Sequence, residues 1–233
     1  MSPSAEPTPA VALLDVTEAV LEQLLELALR DADADEVTPP LGATAGWNTD
    51  RISWFREFHR AAAAGLDGPA RQKSWAISCD GQLAGSIRLQ WTKAATGGAD
   101  DGRGGGGGVG GGGGGVGAVD GGGRVGGVGG GVGAVDGGGR VGGGGSADGG
   151  GGGDVLETGI WLARSFRGRG VGREALRLVK DRAASAGAAV LVADTTAGNV
   201  SALALLKSAG AELVTGGASD TATVPVKGRI PLH

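Results

Sequence analysis

Apolar side chains recur at helical spacing near the start of the chain. Leucine and valine form one broad apolar face over about 17–30, and a second face, partly aromatic, lies over about 50–64. Apolar residues three and four positions apart are typical of an amphipathic helix. The pattern predicts two helices, joined by a loop over 31–48 in which proline and glycine are frequent. Asp15 and Glu18, three residues apart, are predicted to cap the first helix.

The pattern then changes from helical spacing to the alternation typical of strands. Residues 74–79 (SWAISC) and 82–91 flank the dipeptide Asp80-Gly81. An aspartate–glycine pair between two apolar runs is a strong signal for a tight turn. This segment is therefore predicted to be a β-hairpin.

The last third of the chain alternates between short strands and helices. Apolar runs of four to nine residues indicate the strands, and longer helical patterns end at a glycine, which is typical of a C-terminal cap. The predicted elements are strands over 155–163, 188–193, 212–215 and 223–226, and helices over about 171–186 and 199–209.

A glycine-rich tract separates the hairpin from these later elements. Of the 52 glycines, 36 lie in residues 97–153, which hold no aromatic side chain, leucine or isoleucine. The sequence GVGAVDGGGRVGG occurs at 115–127 and again at 131–143. Two such units bury too little apolar surface to offset the entropy lost on ordering the chain. We therefore expect a disordered insertion rather than a bundle of glycine-rich repeats.

The 176 residues outside this tract are enough for one domain. Lengthening a connection from about 5 to 57 residues costs about 2 kcal/mol of closure entropy, which a domain stable by about 5–15 kcal/mol tolerates. The predicted organisation is a disordered tail over 1–10, a single domain formed by 11–96 together with 154–233, and an insertion over 97–153 between two strands.

Charge and cysteine content exclude several classes of protein. The formal net charge of −4 argues against nucleic acid or an anionic membrane as the main partner. The single cysteine, Cys79, excludes an internal disulfide and a cysteine-based zinc site. The chain starts without a secretory signal pattern and has no apolar run long enough to span a membrane. We expect a cytoplasmic protein without a metal cofactor.

The sequence RGRGVG at 167–172 carries the clearest chemistry. It follows the strand over 155–163 and opens the next helix. Backbone N–H groups at a helix start, and glycines that let an anion approach them, form a phosphate-binding turn. Arg167 and Arg169 add positive charge beside that turn. The alternative interpretation is a glycine-rich turn with two solvated arginines.

Arg167, Gly170 and Gly172 match the pattern Q/R-x-x-G-x-G/A, which is the acetyl-coenzyme A signature of the GCN5-related N-acetyltransferase (GNAT) superfamily. The order of predicted elements resembles the same family, most closely over 155–214. The family's second motif, an asparagine and alanine before a leucine-rich helix that ends in glycine, resembles Asn199, Ala202, Leu205 and Gly210.

The resemblance implies an α/β fold of the α+β kind. A mixed, mostly antiparallel central sheet would be flanked by helices. The glycine-rich tract would occupy the connection between the family's third and fourth strands.

The resemblance also assigns a role to residues around the signature. The backbones of Trp161, Leu162 and Ala163 would pair with the pantetheine arm like an added strand, and an N–H near Leu162 would polarise the thioester carbonyl. Asn199 would contact the pantetheine or orient its loop, and Ala202 completes the second motif. The pyrophosphate would lie on the turn formed by Arg167, Gly168, Arg169, Gly170, Val171 and Gly172.

Glu157 is the candidate general base. An amine is mostly protonated at neutral pH, so its proton must be removed before it attacks. Glu157 stands where some family members place a base, and its neighbours Leu156 and Ile160 are apolar. The alternative is a carboxylate that faces solvent or pairs with an arginine.

One departure from the family concerns the acid that protonates the departing thiolate. The family often places a tyrosine seven residues after the asparagine, where this chain has Leu206. The sequence contains no tyrosine. Water would then protonate the thiolate, which is a tolerable leaving group.

The remaining candidate side chains have a better structural than catalytic interpretation. His59 is expected to be a surface or structural residue, and His233 is the last residue. Trp47, Trp54 and the loop over 39–46 could line an acceptor site, although core packing is the better interpretation for Trp54.

The resemblance implies an acetyl-CoA-dependent N-acetyltransferase. A primary amine, on a small molecule or a peptide, would attack the acetyl group directly in a ternary complex. The alternative is a catalytically inactive acyl-CoA-binding, regulatory or interaction domain of the same fold. A third interpretation makes the tract over 97–153 a tether or self-association segment rather than a neutral repeat expansion. No nucleic-acid or membrane partner is expected, and a homodimer is left open.

Overall fold

A single seven-stranded sheet organises the computed structural model, which describes residues 9–42, 45–92, 155–216 and 224–232. The strand order is β1-β2-β3-β4-β5-β7-β6. All neighbours pair antiparallel except β4 and β5. The strands are β1 (Val11–Asp15), β2 (Gln72–Cys79), β3 (Gln82–Trp91), β4 (Val155–Leu162), β5 (Val190–Thr196), β6 (Glu212–Thr215) and β7 (Pro225–Pro231).

Five α-helices and two short 3₁₀ helices flank this sheet. The α-helices are α1 (Glu18–Asp31), α2 (Ala34–Val37), α3 (Thr49–Ala61), α4 (Val171–Ser185) and α5 (Val200–Ser208), and the 3₁₀ turns are Ala62–Ala64 and Arg164–Phe166. The mixed, mostly antiparallel sheet flanked by helices confirms the predicted fold class.

The two sides of the sheet carry separate apolar clusters. On one side, α4 and α5 pack on alternate residues of the central strands, such as Ile77, Leu156 and Leu191. On the other side, leucines of α1 and Phe55 of α3 pack on Ala76. Because successive residues of a strand point to opposite faces, β2 contributes to both clusters, Ile77 to the first and Ala76 to the second.

Several elements differ from the sequence prediction. The strand β1 was not predicted, because only seven residues separate the tail from α1 and their apolar run is short. The predicted loop contains the one-turn helix α2. The predicted cap is wrong: Thr17 Oγ1 accepts from the N–H of Val20, while Asp15 binds Lys73 and Glu18 binds Arg60.

The strands β4 and β5 pair over only three residues and then diverge. Their parallel ladder joins Val155, Leu156 and Glu157 to Val190, Leu191 and Val192. Beyond these positions β4 pairs with β3 on its other side, and β5 pairs with β7. One edge of β4, from Thr158 to Leu162, therefore has no strand partner among the described residues, and the gap between β4 and β5 is called the cleft below. Residues 93–154, which include the predicted insertion, lie outside the described residues.

Candidate active site

The turn between β4 and α4 requires glycine at two positions. Gly168 and Gly170 have φ angles of +75° and +82°, in the left-handed region that side chains with a Cβ rarely adopt. A Cβ at either position would meet nothing within 4 Å, so conformation, not crowding, selects glycine here. Gly170 is the N-terminal cap of α4. The first intrahelical bond runs from the N–H of Glu174 to the carbonyl of Gly170, so the N–H groups before it have no acceptor within the helix.

A third glycine sets how closely α4 approaches the sheet. A Cβ on Gly172 would stand 3.4 Å from a methyl carbon of Leu162 and 3.9 Å from one of Ile160. The start of α4 therefore lies directly against the end of β4. This contact places the glycine-rich turn at the open end of the cleft between β4 and β5.

Only some of the backbone N–H and carbonyl groups at the end of β4 have a hydrogen-bond partner in the described residues. The N–H of Ala163 donates to the carbonyl of Ala84, at 2.9 Å. The carbonyl of Leu162 accepts from Arg167 Nε, also at 2.9 Å. Because backbone groups alternate between the two edges of a strand, the N–H of Leu162 points toward the cleft. Of the three predicted backbone contacts, Leu162 is the best placed, and Ala163 turns its N–H toward β3.

Arginines in and before the turn form ion pairs with an acidic segment, residues 31–36. Arg167 binds Glu36 through both guanidinium Nη atoms, at 2.8 and 3.3 Å. Arg164 binds Asp33 at 2.8 Å, and the hydroxyl of Ser165 donates to Asp31 at 3.1 Å. The alternative interpretation, a turn with two solvated arginines, therefore describes Arg169 but not Arg167. Arg169 is exposed and lies over the ring of Phe166, but Arg167 has an anionic partner.

The second motif forms the start of α5. Asn199 is the N-terminal cap of this helix, and its Oδ1 accepts from the N–H of Ala202 at 3.0 Å. An asparagine in this position stabilises a helix by satisfying one of its free N–H groups. The contact accounts for the spacing of Asn199 and Ala202 in the sequence and orients the turn after β5.

Glu157 lies at the point where β4 and β5 begin to diverge, and it has an arginine partner. Arg88 Nη2 donates to Glu157 Oε1 at 2.7 Å, and Arg88 Nη1 donates to Gln90 Oε1 at 2.6 Å. The side chains of Arg88 and Glu157 are only 11% and 18% exposed. The structure thus gives Glu157 the arginine pairing that the sequence left as the alternative to a free base. Sequence reasoning missed Arg88, because nothing local to that residue marks its partner.

Comparison with known protein families finds a match for part of the chain. The model of the acetyltransferase (GNAT) family matches residues 116–211, a range that begins inside the glycine-rich tract and includes β4, α4, β5 and α5. The sequence match covers less than half of the chain, and the fold is that of solved GNAT structures. No sequence among curated proteins matches the chain.

Solved GNAT structures share the fold at low sequence identity. A GCN5-related N-acetyltransferase from Kribbella flavida has a TM-score of 0.53 and 14% identity, over 96% of this chain and 98% of that one. RimL, a ribosomal L7/L12 alpha-N-protein acetyltransferase in complex with coenzyme A, has a TM-score of 0.55 and 12% identity, over 95% and 94%. The microcin C7 self-immunity acetyltransferase MccE, in complex with acetyl-CoA and AMP, has a TM-score of 0.52 and 11% identity, over 95% of this chain and 92% of that one.

The position of the GNAT tyrosine holds a core residue in this chain. Leu206 is buried in the cluster on the α4 and α5 side of the sheet. Gly228 of β7 leaves room for it, since a Cβ there would come within 2.9 Å of a Leu206 methyl carbon. Leu206 offers no proton donor, so the position is occupied for packing alone.

The other candidate side chains have structural roles. His59 is buried in α3, where its Nδ1 lies 2.9 Å from Ser74 Oγ, and burial lowers its pKa to about 4. Cys79 is buried in β2, and burial raises the pKa of its thiol. Trp54 stacks on Phe58, while Trp47 Nε1 donates to the carbonyl of Ala32 at 3.1 Å.

The described residues offer neither a cluster for a metal ion nor a membrane-spanning helix. Over the described residues, histidine, cysteine, aspartate and glutamate form no group of three that could hold a metal ion. Within the same residues, no helix has the length and apolar character needed to cross a bilayer. His233 and part of the 39–46 loop, residues 43 and 44, lie outside the described chain.

Proposed function

We propose that this protein is an acetyltransferase that moves an acetyl group from acetyl-CoA to a primary amine. One observation carries the proposal: the cleft between β4 and β5 ends at the glycine-rich start of α4. An open strand edge can pair with an extended, amide-containing chain such as pantetheine. A helix start can bind phosphate through its free N–H groups. The two features lie side by side, as the two ends of coenzyme A require.

The residues present fit coenzyme A at three points. Gly168 and Gly170 leave open space where side chains would otherwise stand. Trp161 Nε1 on β4 and Thr195 Oγ1 on β5 are buried without a hydrogen-bond partner in the described residues. Both residues lie on the diverging parts of their strands. Unsatisfied buried polar atoms are uncommon in folded proteins, so each of these two atoms is a candidate for a ligand contact, although strand alternation places the two side chains on opposite faces of the sheet.

Within this proposal each part of the site has one task. The N–H groups at the start of α4, with Arg167 and Arg169, hold the pyrophosphate, and Asn199 orients the turn after β5. The N–H of Leu162 donates to an oxygen that becomes more negative as the acceptor attacks. Acetyl-CoA supplies the activated acyl group. Glu157 accepts a proton from the acceptor amine, directly or through water, while Arg88 holds its other oxygen.

Calorimetric titration with coenzyme A tests the cofactor site. The double variant Arg167→Ala, Gly170→Val removes the charge and forces a β-branched residue into a left-handed conformation. The matched control is Arg177→Ala, Gly187→Val, which makes the same two changes at an exposed arginine of α4 and at a glycine just after its end, where φ is +86°. We expect at least about tenfold weaker binding in the first variant, the equivalent of about 1.4 kcal/mol, and unchanged binding in the control. Folded wild-type protein that does not bind coenzyme A would disprove the proposal.

The acceptor is the second part of the proposal. RimL is named for a ribosomal protein and MccE for self-immunity to microcin C7, and one fold can serve acceptors of different kinds, so the fold does not choose between peptides and small amines. A panel of acceptors, each assayed with acetyl-CoA, decides between them. It comprises a peptide with a free α-amine, the same peptide N-blocked with one lysine, and a small diamine. Release of the coenzyme A thiol is the measurement. Cytoplasmic location and the domain bounds 11–96 with 154–233 stay predictions, and a homodimer stays open.

Two observations favour the alternative of a non-catalytic acyl-CoA-binding domain. The usual tyrosine position holds the buried Leu206, and Glu157 is engaged by Arg88. Binding of coenzyme A without thiol release for every acceptor in the panel would support this alternative.

A further inference from the structure

We infer that Arg88 is a positioning residue that fixes the carboxylate of Glu157 toward the acceptor, and that Gly159 is glycine so that Arg88 can reach it. This inference rests on the proposed function and on the role of Glu157 within it. Neither Arg88 nor Gly159 belongs to the acetyl-CoA signature.

The backbone register explains how Arg88 crosses from one strand to the next. Arg88 of β3 pairs directly with Gly159 of β4, while Gln90 pairs with Glu157. The guanidinium of Arg88 therefore has to pass over position 159 to reach Glu157. A Cβ on Gly159 would stand 3.0 Å from Arg88 Nε. Any larger residue at 159 would push the guanidinium away from the carboxylate.

The main chain and side chain of Arg88 are both held. Thr158 Oγ1 donates to the carbonyl of Arg88 at 2.9 Å. The two Nη atoms of Arg88 donate to Gln90 and Glu157. A planar guanidinium with two fixed acceptors has one orientation, so Glu157 Oε1 is held in one place. A free glutamate has several rotamers and loses their entropy when it is ordered. Here that ordering is complete before the acceptor arrives.

The neighbours of Arg88 and Glu157 on the same face of the sheet indicate that this ion pair does more than fill the core. Ser74 of β2 pairs with Arg88 in register, and it is covered by His59 of α3. Arg88 and Glu157 continue this polar row toward the cleft, where exposure increases. Ion pairs in such places are weak evidence for stability, since apolar residues of similar size often serve as well. The row ends where β4 and β5 diverge, which is where an acceptor approaches the cofactor cleft.

The test compares turnover with cofactor binding in single and double variants. In Arg88→Gln, kcat with acetyl-CoA and the fastest acceptor of the panel should fall by about tenfold or more, as misplaced catalytic groups do. The KM for acetyl-CoA and the affinity for coenzyme A should stay within about twofold, because the cofactor contacts are remote. Arg177→Gln, an exposed arginine on α4, is the control and should change neither value.

A double-mutant cycle separates positioning from general support of the fold. If Arg88 acts through Glu157, Arg88→Gln added to Glu157→Gln should lower kcat by no more than about twofold. A purely structural role would lower activity and coenzyme A affinity by the same factor in both backgrounds. Gly159→Ala is the second variant, because it displaces the guanidinium without removing a charge, and it should reproduce the loss of kcat.

The outcomes distinguish this inference from the proposed function. Wild-type turnover that survives Arg88→Gln and Gly159→Ala within about twofold would overturn the inference and leave the acetyltransferase intact. Equal losses from Arg88→Gln with and without Glu157 would overturn it as well. A wild-type protein that turns over none of the panel amines would overturn both.

Discussion

Two arginine–glutamate pairs, in different surroundings, connect distant parts of this chain. Arg88 and Glu157 are 69 residues apart in sequence and lie in the sheet, with side chains 11% and 18% exposed. Arg167 and Glu36 are 131 residues apart and join the turn before α4 to the acidic segment, with side chains 42% and 26% exposed. The hydrogen bonds are similar in length. Arg167 makes two hydrogen bonds to its glutamate and Arg88 makes one, so we expect the difference in burial, rather than in bonding, to decide what each pair does.

The more buried pair is suited to a fixed role and the more exposed pair to an exchangeable one. Removing a partner from a buried pair leaves a charge that water reaches poorly. An exposed pair is stabilised little beyond what water offers each partner, so an incoming anion can replace its carboxylate at small cost. Arg88 can therefore hold Glu157 in place, and Arg167 can release Glu36 when a phosphate arrives.

The largest expected difference between the pairs is in stability. Arg88→Met should lower the free energy of unfolding by about 2 kcal/mol, less than the roughly 3–5 kcal/mol of a fully buried pair, because Glu157 keeps some contact with water. Arg167→Met should cost less than about 1 kcal/mol. Urea unfolding at constant pH measures both. Equal losses in the two variants would show that burial does not distinguish the pairs.

The pH dependence of stability tests the buried region next to Arg88. Burial lowers the pKa of His59 to about 4, from an ordinary value of 6.5. Between these values the unfolded chain binds a proton that the folded protein does not, so the free energy of unfolding falls as the pH falls. From pH 8 to pH 5.5 this group should account for a loss of about 1 kcal/mol.

The control for this prediction is the variant His59→Gln. Its unfolding free energy should be lower at pH 8, because a buried contact with Ser74 is changed. Its loss between pH 8 and pH 5.5 should be smaller than that of the wild type by about the same 1 kcal/mol. Parallel pH curves for the two proteins would contradict the assignment.

Gly159→Ala should have a smaller effect on stability. The new Cβ would stand 3.0 Å from Arg88 Nε, so the guanidinium must shift by a few tenths of an ångström and weaken one contact. We expect a loss of about 1 kcal/mol. Gly198→Ala is the control, because a Cβ at that position meets nothing within 4 Å. Thermal unfolding of the two variants side by side gives the comparison, and equal melting temperatures would remove the steric argument.

The two regions also differ in how well the sequence predicts them. The turn at 167–172 is local: its glycines, charges and following helix are adjacent in sequence, and the structure has a helix start there. Glu157 was recognised from its distance to that turn. Its partner Arg88 lies across a strand pairing whose register the sequence does not specify. Glu36 was missed for a related reason, since α2 is one turn long and leaves little periodicity.

The smallest expected effect concerns the exchange of Glu36 for a ligand phosphate at Arg167. Glu36→Gln keeps a hydrogen-bonding side chain but removes the charge that competes with an anion. Coenzyme A should therefore bind about threefold more tightly to this variant, which corresponds to about 0.6 kcal/mol. Asp181→Asn is the matched control, since Asp181 pairs with the exposed Arg177 on the outer surface of α4. The gain should shrink as salt rises, because exposed charges are screened. Affinity that falls in Glu36→Gln would mean that Glu36 holds Arg167 in its binding position, and the pair would then act as a support, as Arg88 and Glu157 do.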